Sequence, residues 1–218
     1  MPALIVGGCA GPLSTLDTAG PAARDIATLW WVMLGGAFIL AFFTLGLLAW
    51  ALRRRGREGN HRGSTGFWIG GLGLAMPSVV LLGLLIYALV IGERTIARPV
   101  PDAVVVEATG HQWFWTFRQP GASGAITTRN VLHIPAGRPV DVRIASADVI
   151  HSFWVPRLGG KMDAIPGQVN VLRIEASAPG VLEGQCAEFC GVGHTGNRFR
   201  VIVHDAAGWA TFQRTAAR

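Results

Sequence analysis

Two long stretches of this chain carry no charged residue. The first, residues 26–52, reads IATLWWVMLGGAFILAFFTLGLLAWAL, and the second, residues 66–92, reads GFWIGGLGLAMPSVVLLGLLIYALVIG. Each exceeds the roughly 20 residues that an α-helix needs to cross about 30 Å of hydrocarbon, so each is predicted to span a membrane. Pro77 falls inside the second run, where helices in lipid tolerate a kink. Trp30, Trp31, Trp50 and Trp68 stand near the ends of the runs, as interfacial anchors do. The competing reading, two buried core helices of a soluble protein, sits poorly with runs of this length. Between the runs, Arg53, Arg54, Arg55, Arg57 and Arg62 crowd one short loop. The positive-inside rule assigns that loop, residues 53–65, to the cytoplasm. Residues 26–96 are thus expected to form a helical hairpin that leaves both chain ends on the opposite face.

From residue 97 onward the pattern changes. DAVVVEATG, NVLHIP, RPVDVRIAS, QVNVLRIEA and RFRVIVHD are rich in β-branched residues and roughly alternating, with PAGRP and SAPG as turn signals between them. Short strands at this spacing predict an all-β sandwich or small barrel over residues 97–218. Residues 1–25 are expected to be an extracytoplasmic segment. LIVGGC, ending at Cys9, resembles the site at which bacterial lipoproteins are cleaved and lipidated; an ordinary free cysteine is the alternative.

Composition supports the membrane assignment: half of the residues are apolar, only 15% are charged, and mean hydropathy is +0.40. Arginine-, alanine- and glycine-rich usage points to a GC-rich bacterial source. The net charge of +6 raises the question of nucleic acid. The basic residues form no helix or patch with interleaved aromatics, so no nucleic-acid partner is expected. Three cysteines are too few for a disulfide framework, and the absence of C-x-x-C-H argues against covalently attached haem.

The chemistry concentrates in GQCAEFCGVGHTGN, residues 184–197. Cys186 and Cys190 could form a disulfide, be ordinary buried thiols, or bind zinc. Their spacing is C-x-x-x-C rather than the C-x-x-C usual for zinc, and a disulfide leaves His194 unexplained. Two thiolates with an imidazole suit copper. A fourth ligand is available in His151, just after the strand VDVRIAS. Of the other histidines, His61 lies in the arginine loop, while His133 and His204 read as structural residues of strands.

The two-span hairpin, GHQWFWTF (110–117), DVIHSFWVPRLGGKMDAIPG (148–167) and GQCAEFCGVGH (184–194) together resemble subunit II of the haem–copper cytochrome c oxidases over nearly the whole chain. The resemblance implies a two-helix transmembrane hairpin followed by a cupredoxin-like domain with a dinuclear copper A centre, holding two copper ions. It implies that Cys186 and Cys190 bridge both metals, that His151 and His194 are terminal ligands, and that Glu188 offers its backbone carbonyl. The Glu188 side chain would help hold a magnesium ion at the contact with subunit I. Trp113 would be the point where electrons enter from cytochrome c, with Phe114 and Trp115 as packing or secondary coupling residues. The implied function is electron transfer from cytochrome c to haem in subunit I of a respiratory oxidase that reduces dioxygen to water. Subunit I and the other oxidase subunits are the implied partners. The implied location is the bacterial inner membrane, with the C-terminal domain on the periplasmic side.

This chain departs from the family pattern in three places. Asn197 stands where the family has a methionine as weak axial ligand, which leaves a harder amide oxygen in place of a thioether; a tuned but working centre is expected, a poorly loaded one being the alternative. Arg118 and Gln119 follow the aromatic motif where acidic residues are usual. Residues 97–218 carry 12 basic and 9 acidic side chains, so the donor is expected to be a less basic or membrane-tethered cytochrome c. No acidic residue occurs between Glu58 and Glu93, so a proton-uptake role at the start of the second span is not expected. Competing functions are the copper-bearing subunit of a nitric oxide reductase, a quinol-oxidase-like subunit with an impaired site, and a membrane-tethered copper chaperone. The cysteine pair with both histidines argues against the quinol oxidase.

Overall fold

The computed structural model describes residues 9–54, 65–98 and 100–215. Most of the expected cytoplasmic loop and the residues before Cys9 lie outside the described residues. The first apolar run forms helix α1, Pro21–Arg54, and the second forms helix α2, Gly66–Thr95; both are long and apolar enough to cross a membrane. Their large side chains are turned outward: Ile39, Phe42, Ile69 and Val79 are each about 70% exposed, as a lipid-facing surface requires. The first ten residues of α2, Gly66–Ala75, are wound with i→i+5 bonds, ending where the Met76 N–H donates to the Gly71 carbonyl. Pro77 follows at once; it has no N–H to donate, and its ring crowds the preceding turn, which the wider winding relieves. Trp50 and Trp68 stack at 6.3 Å, joining the C-terminal end of α1 to the start of α2.

The alternating segments form two five-stranded sheets. The strands are β1 Val104–His111, β2 Phe114–Gly121, β3 Gly124–Arg129, β4 Val131–Pro135, β5 Val140–Ser146, β6 His151–Trp154, β7 Met162–Ala164, β8 Asn170–Ile174, β9 Gly180–Cys186 and β10 Arg198–His204. One sheet runs β3-β2-β1-β5-β8 and the other β4-β10-β9-β6-β7. Pairing is antiparallel except for β1 with β5 and β10 with β4, which are parallel. The period-two pattern sets which face of each strand is buried. Val104, Val106 and Ala108 of β1, Val140, Val142 and Ile144 of β5, and Phe199, Val201 and Val203 of β10 all point into one core. At its centre Trp115, Phe117, Phe153 and Phe199 pack with ring centroids 5.0–6.4 Å apart. Trp115 and Phe117 are therefore core residues, whereas Phe114 lies on the outer face of β2.

Two features go beyond the alternating pattern. Helix α3, Ala206–Thr215, follows β10; Asp205 caps it by accepting the Gly208 N–H at 2.7 Å. Trp209 and Phe212 on its inner side join the domain core. Among the described residues, those from Cys9 to Ala27 belong to the same compact unit as the β-domain, while those within Thr28–Arg94 form a second unit. In the first unit, the Arg157 guanidinium donates to Asp17 Oδ1 at 3.0 Å and to the Asp17 carbonyl at 2.7 Å. The Ala19 N–H donates to the Arg157 carbonyl at 2.7 Å, and the Ala19 carbonyl accepts the Ser177 N–H at 2.8 Å.

Candidate metal centre

Strand pairing brings the candidate ligands together. β6 and β9 are antiparallel with Phe153 opposite Cys186, so His151, at the start of β6, lies close to the last residue of β9. The loop after Cys186 turns back through Cys190 into a single helical turn, His194–Gly196, and returns to the sheet at Arg198. Two bonds close it at its base: the Cys186 N–H donates to the Asn197 carbonyl at 2.9 Å, and the Asn197 N–H donates to the His194 carbonyl at 3.1 Å.

His151, Cys186 and Cys190 are all buried, and their ligand atoms lie within 4.8 Å of one another. The two Sγ atoms are 3.8 Å apart and both cysteines are free thiols. His151 Nδ1 is 3.7 Å from Cys186 Sγ, and His194 Nδ1 is 3.5 Å from Cys190 Sγ. The Glu188 carbonyl faces Cys186 Sγ at 3.3 Å. The Glu188 carboxylate points elsewhere, with Lys161 Nζ donating to it at 3.1 Å and to Asp163 at 3.3 Å. An ammonium group thus fronts the carboxylate expected to bind magnesium, and the described residues add no second oxygen cluster there.

Asp148, three residues before His151, was not singled out from the sequence. Its Oδ1 accepts the His151 Nε2–H at 2.7 Å, and its Oδ2 accepts the Gln112 N–H at 2.8 Å. Burial alone would raise its pKa, but these bonds, with that from the Val149 N–H, hold the carboxyl below its usual range. Asp148 therefore stays ionised and fixes the proton of His151 on Nε2, leaving the Nδ1 lone pair aimed at the sulfurs. The alternating pattern could not show this, because the carboxylate is shared with a residue 36 positions away.

Trp113 sits against the loop. The residue is 38% exposed, while its Nε1–H donates to the Cys190 carbonyl at 3.1 Å; Gln112 Nε2 donates to the same oxygen at 2.8 Å. A Cβ at position 193 would come within 2.3 Å of the indole, so only glycine lets the loop close on this ring. Asn197 is 1% exposed; its Nδ2 donates to the His111 carbonyl at 3.4 Å and to Cys190 Sγ at 3.9 Å. Among the described residues its buried Oδ1 has no hydrogen-bond partner.

These residues fit a thiophilic metal. Burial, followed by the neighbouring Cys186, pushes the Cys190 thiol up to about 11, so Cys190 becomes thiolate only with a cation beside it. Two thiolates and two imidazoles form a soft-to-borderline donor set. The unpartnered Asn197 oxygen would otherwise leave a buried acceptor at a cost of about 1–3 kcal/mol.

Residues 118–205 match the family model for cytochrome c oxidase subunit II, periplasmic domain. The chain is 32% identical over 212 residues to cytochrome c oxidase subunit 2 of Alkalihalophilus pseudofirmus, covering 91% of this chain and 61% of that protein. It is 32% identical over 183 residues to the alternative cytochrome c oxidase subunit 2 of Bradyrhizobium diazoefficiens, covering 69% of this chain and 64% of that one. It thus spans a little under two thirds of the length of these two relatives. The crystal structure of the periplasmic domain of subunit II of cytochrome oxidase from Bradyrhizobium japonicum is 31% identical. It superposes with a TM-score of 0.51 over 97% of its own length and 55% of this chain. With two helices able to cross a membrane ahead of a cupredoxin-like sandwich of this kind, the chain belongs to the cytochrome c oxidase subunit II family.

Proposed function

We propose that this chain is the electron-accepting subunit of a haem–copper oxidase. It takes electrons from a cytochrome c at Trp113 and relays them to the haem-bearing subunit, where dioxygen is reduced. The observation that carries the reading is the convergence of Cys186, Cys190, His151 and His194 under a loop to which Trp113 is hydrogen-bonded. Cys186, Cys190, His151 and His194 would hold a pair of copper ions, which would supply a one-electron store. The protein does the rest. The β6–β9 pair holds the ligands on a rigid sheet end, which limits rearrangement on electron transfer. Asp148 fixes the tautomer of His151, and the core rings of Trp115 and Phe153 close off the site from the interior side. Trp113 bridges solvent and site: its ring meets the donor, and its N–H contacts the carbonyl of a ligand residue. Asn197 tunes the centre through its amide. The domain lies on the extracytoplasmic side of the inner membrane.

The test is metal content and electron paramagnetic resonance of the purified full-length chain after copper loading. Two coppers per chain with a delocalised mixed-valence signal are expected. A single zinc or a single copper would overturn the reading.

A further inference from the structure

Beside the metal centre lies a surface that the proposed function does not use. An open groove of about 390 Å³ runs between Arg129, at the end of β3, and Arg198 and Arg200 on β10. All three side chains are exposed, and among the described residues none has an ion-pair partner within 4.0 Å. Glu183, opposite Arg200 across the β9–β10 pair, is the one acidic residue in the lining. Three positive charges against one negative leave the groove basic.

Its floor is fixed by Asn130, which sits in the left-handed region at φ 55°. Asn130 Oδ1 accepts the Trp115 N–H at 2.7 Å, its N–H donates to the Trp115 carbonyl at 2.9 Å, and its carbonyl accepts the Arg200 N–H at 2.9 Å. One residue thereby ties the two sheets together beneath the arginines, so their spacing is set by the fold rather than by a mobile loop.

The groove adjoins the metal loop by two routes. Arg129 lies 3.8 Å over the Phe114 ring, and Phe114 stacks at 4.5 Å on His111, whose carbonyl accepts Asn197 Nδ2. Arg198 follows Asn197 directly and pairs in register with Gln185, the neighbour of Cys186. The loop itself carries a bare apolar tip: Phe189 is 75% exposed and Val192 93%, close to the half-exposed Trp113. An apolar centre over the redox ligands with a charged flank is the form of a transient electron-transfer interface.

We propose that this face docks an acidic electron-donor protein, a c-type cytochrome whose exposed haem edge meets Trp113, Phe189 and Val192 while its carboxylates enter the arginine groove. The proposal rests on the electron-transfer reading above and adds the charge of the partner and the residues that select it. Long-range attraction to the arginines speeds encounter, and the apolar tip holds the short-lived complex.

The experiment is association of the full-length chain in detergent with two cytochromes c of one fold, one of net negative and one of net positive charge, at low and at physiological salt. The acidic cytochrome should associate about tenfold faster at low salt, with the advantage shrinking as salt rises. The double reversal R198E/R200E should remove that advantage, while Arg143→Glu, on β5 of the other sheet, should leave it unchanged. If the double reversal perturbs the melting curve, R198Q/R200Q should still lower the rate by about threefold. Three results would overturn the proposal: faster association of the basic cytochrome, no effect of the reversal, or a reversal that abolishes binding to phosphatidylglycerol vesicles and spares the cytochrome. Copper content, measured on the same samples, separates the two claims. Binding of the acidic cytochrome by a chain that takes up no copper would keep the docking surface and remove the electron-transfer role.

Discussion

Asn197 puts an amide where its surroundings ask for a metal ligand or a second hydrogen-bond partner. Asn197 is 1% exposed and its oxygen has no protein donor among the described residues, while its nitrogen reaches toward Cys190 Sγ. An N–H directed at a thiolate draws charge from the sulfur, and a hard amide oxygen differs from a polarisable thioether as a donor; with copper held by the thiolates, both would act on its potential rather than on its assembly. Replacing Asn197 by Met is therefore expected to shift the reduction potential and the optical bands of the loaded protein and to leave copper stoichiometry at two per chain. Potentiometric titration of both proteins checks this; an unchanged potential would mean that the amide has no tuning role. The four candidate ligand positions could be proposed without a structure, because the short loop spacing of Cys186, Cys190 and His194 and the motif around His151 are local. The hydrogen-bond environment of Asn197 was not legible, because it is made with His111, 86 residues earlier in the chain.

Among the elements, α3 best shows where the hydrophobic pattern runs out. Its ten residues carry too few apolar positions to announce a helix, and its seat is a ring stack assembled from three distant strands and turns. His133 of β4 stacks on Phe212 at 4.1 Å, its Nδ1 meets His204 Nε2 at 2.8 Å, and its N–H donates to Gln119 Oε1 at 2.5 Å. Burial first, and then His204, depress the pKa of His133 to about 4, and burial lowers that of His204 against the opposing pull of Asp205. The unfolded chain accepts protons near pH 6.5 that this folded pair refuses, so the pair favours the folded state less and less as pH falls from about 6.5 toward 4. Thermal melts should thus show stability declining over that window, with a slope of at most about 1.4 kcal/mol per pH unit for each proton. His133→Gln should flatten the profile. A profile unchanged by that substitution would place the acid sensitivity elsewhere. The strand assignment of both histidines was legible from the alternation around them, but their pairing across 71 residues was not.

At the scale of the molecule, the two long apolar helices were readable from length and the lack of charge alone, whereas the attachment of the leading segment was not. Its anchors, Arg157, Glu175 and Ser177, lie some 140 to 160 residues further along. Gly20 shows how close that attachment is: a Cβ there would stand 2.1 Å from the Glu175 carbonyl. Because Asp17 and Ala19 are hydrogen-bonded to the β-domain, the start of α1 and the β-domain are predicted to lie on one side of a membrane that the helices cross. If both helices cross, the chain returns to that side, and the positive-inside rule predicts that the arginines around residues 53–62 face the cytoplasm. The arrangement can be tested in a Cys9→Ser background with single cysteines at Ser123, in the exposed β2–β3 turn, and at Gly59. Cys186 and Cys190, at 4% and 3% exposure, are shielded from a bulky reagent. In intact spheroplasts a membrane-impermeant maleimide should label the residue-123 thiol and spare the residue-59 thiol until the membrane is permeabilised. Equal labelling of both before permeabilisation would mean that the chain does not cross twice, and the reverse pattern would place the metal centre on the cytoplasmic face, out of reach of an extracytoplasmic donor.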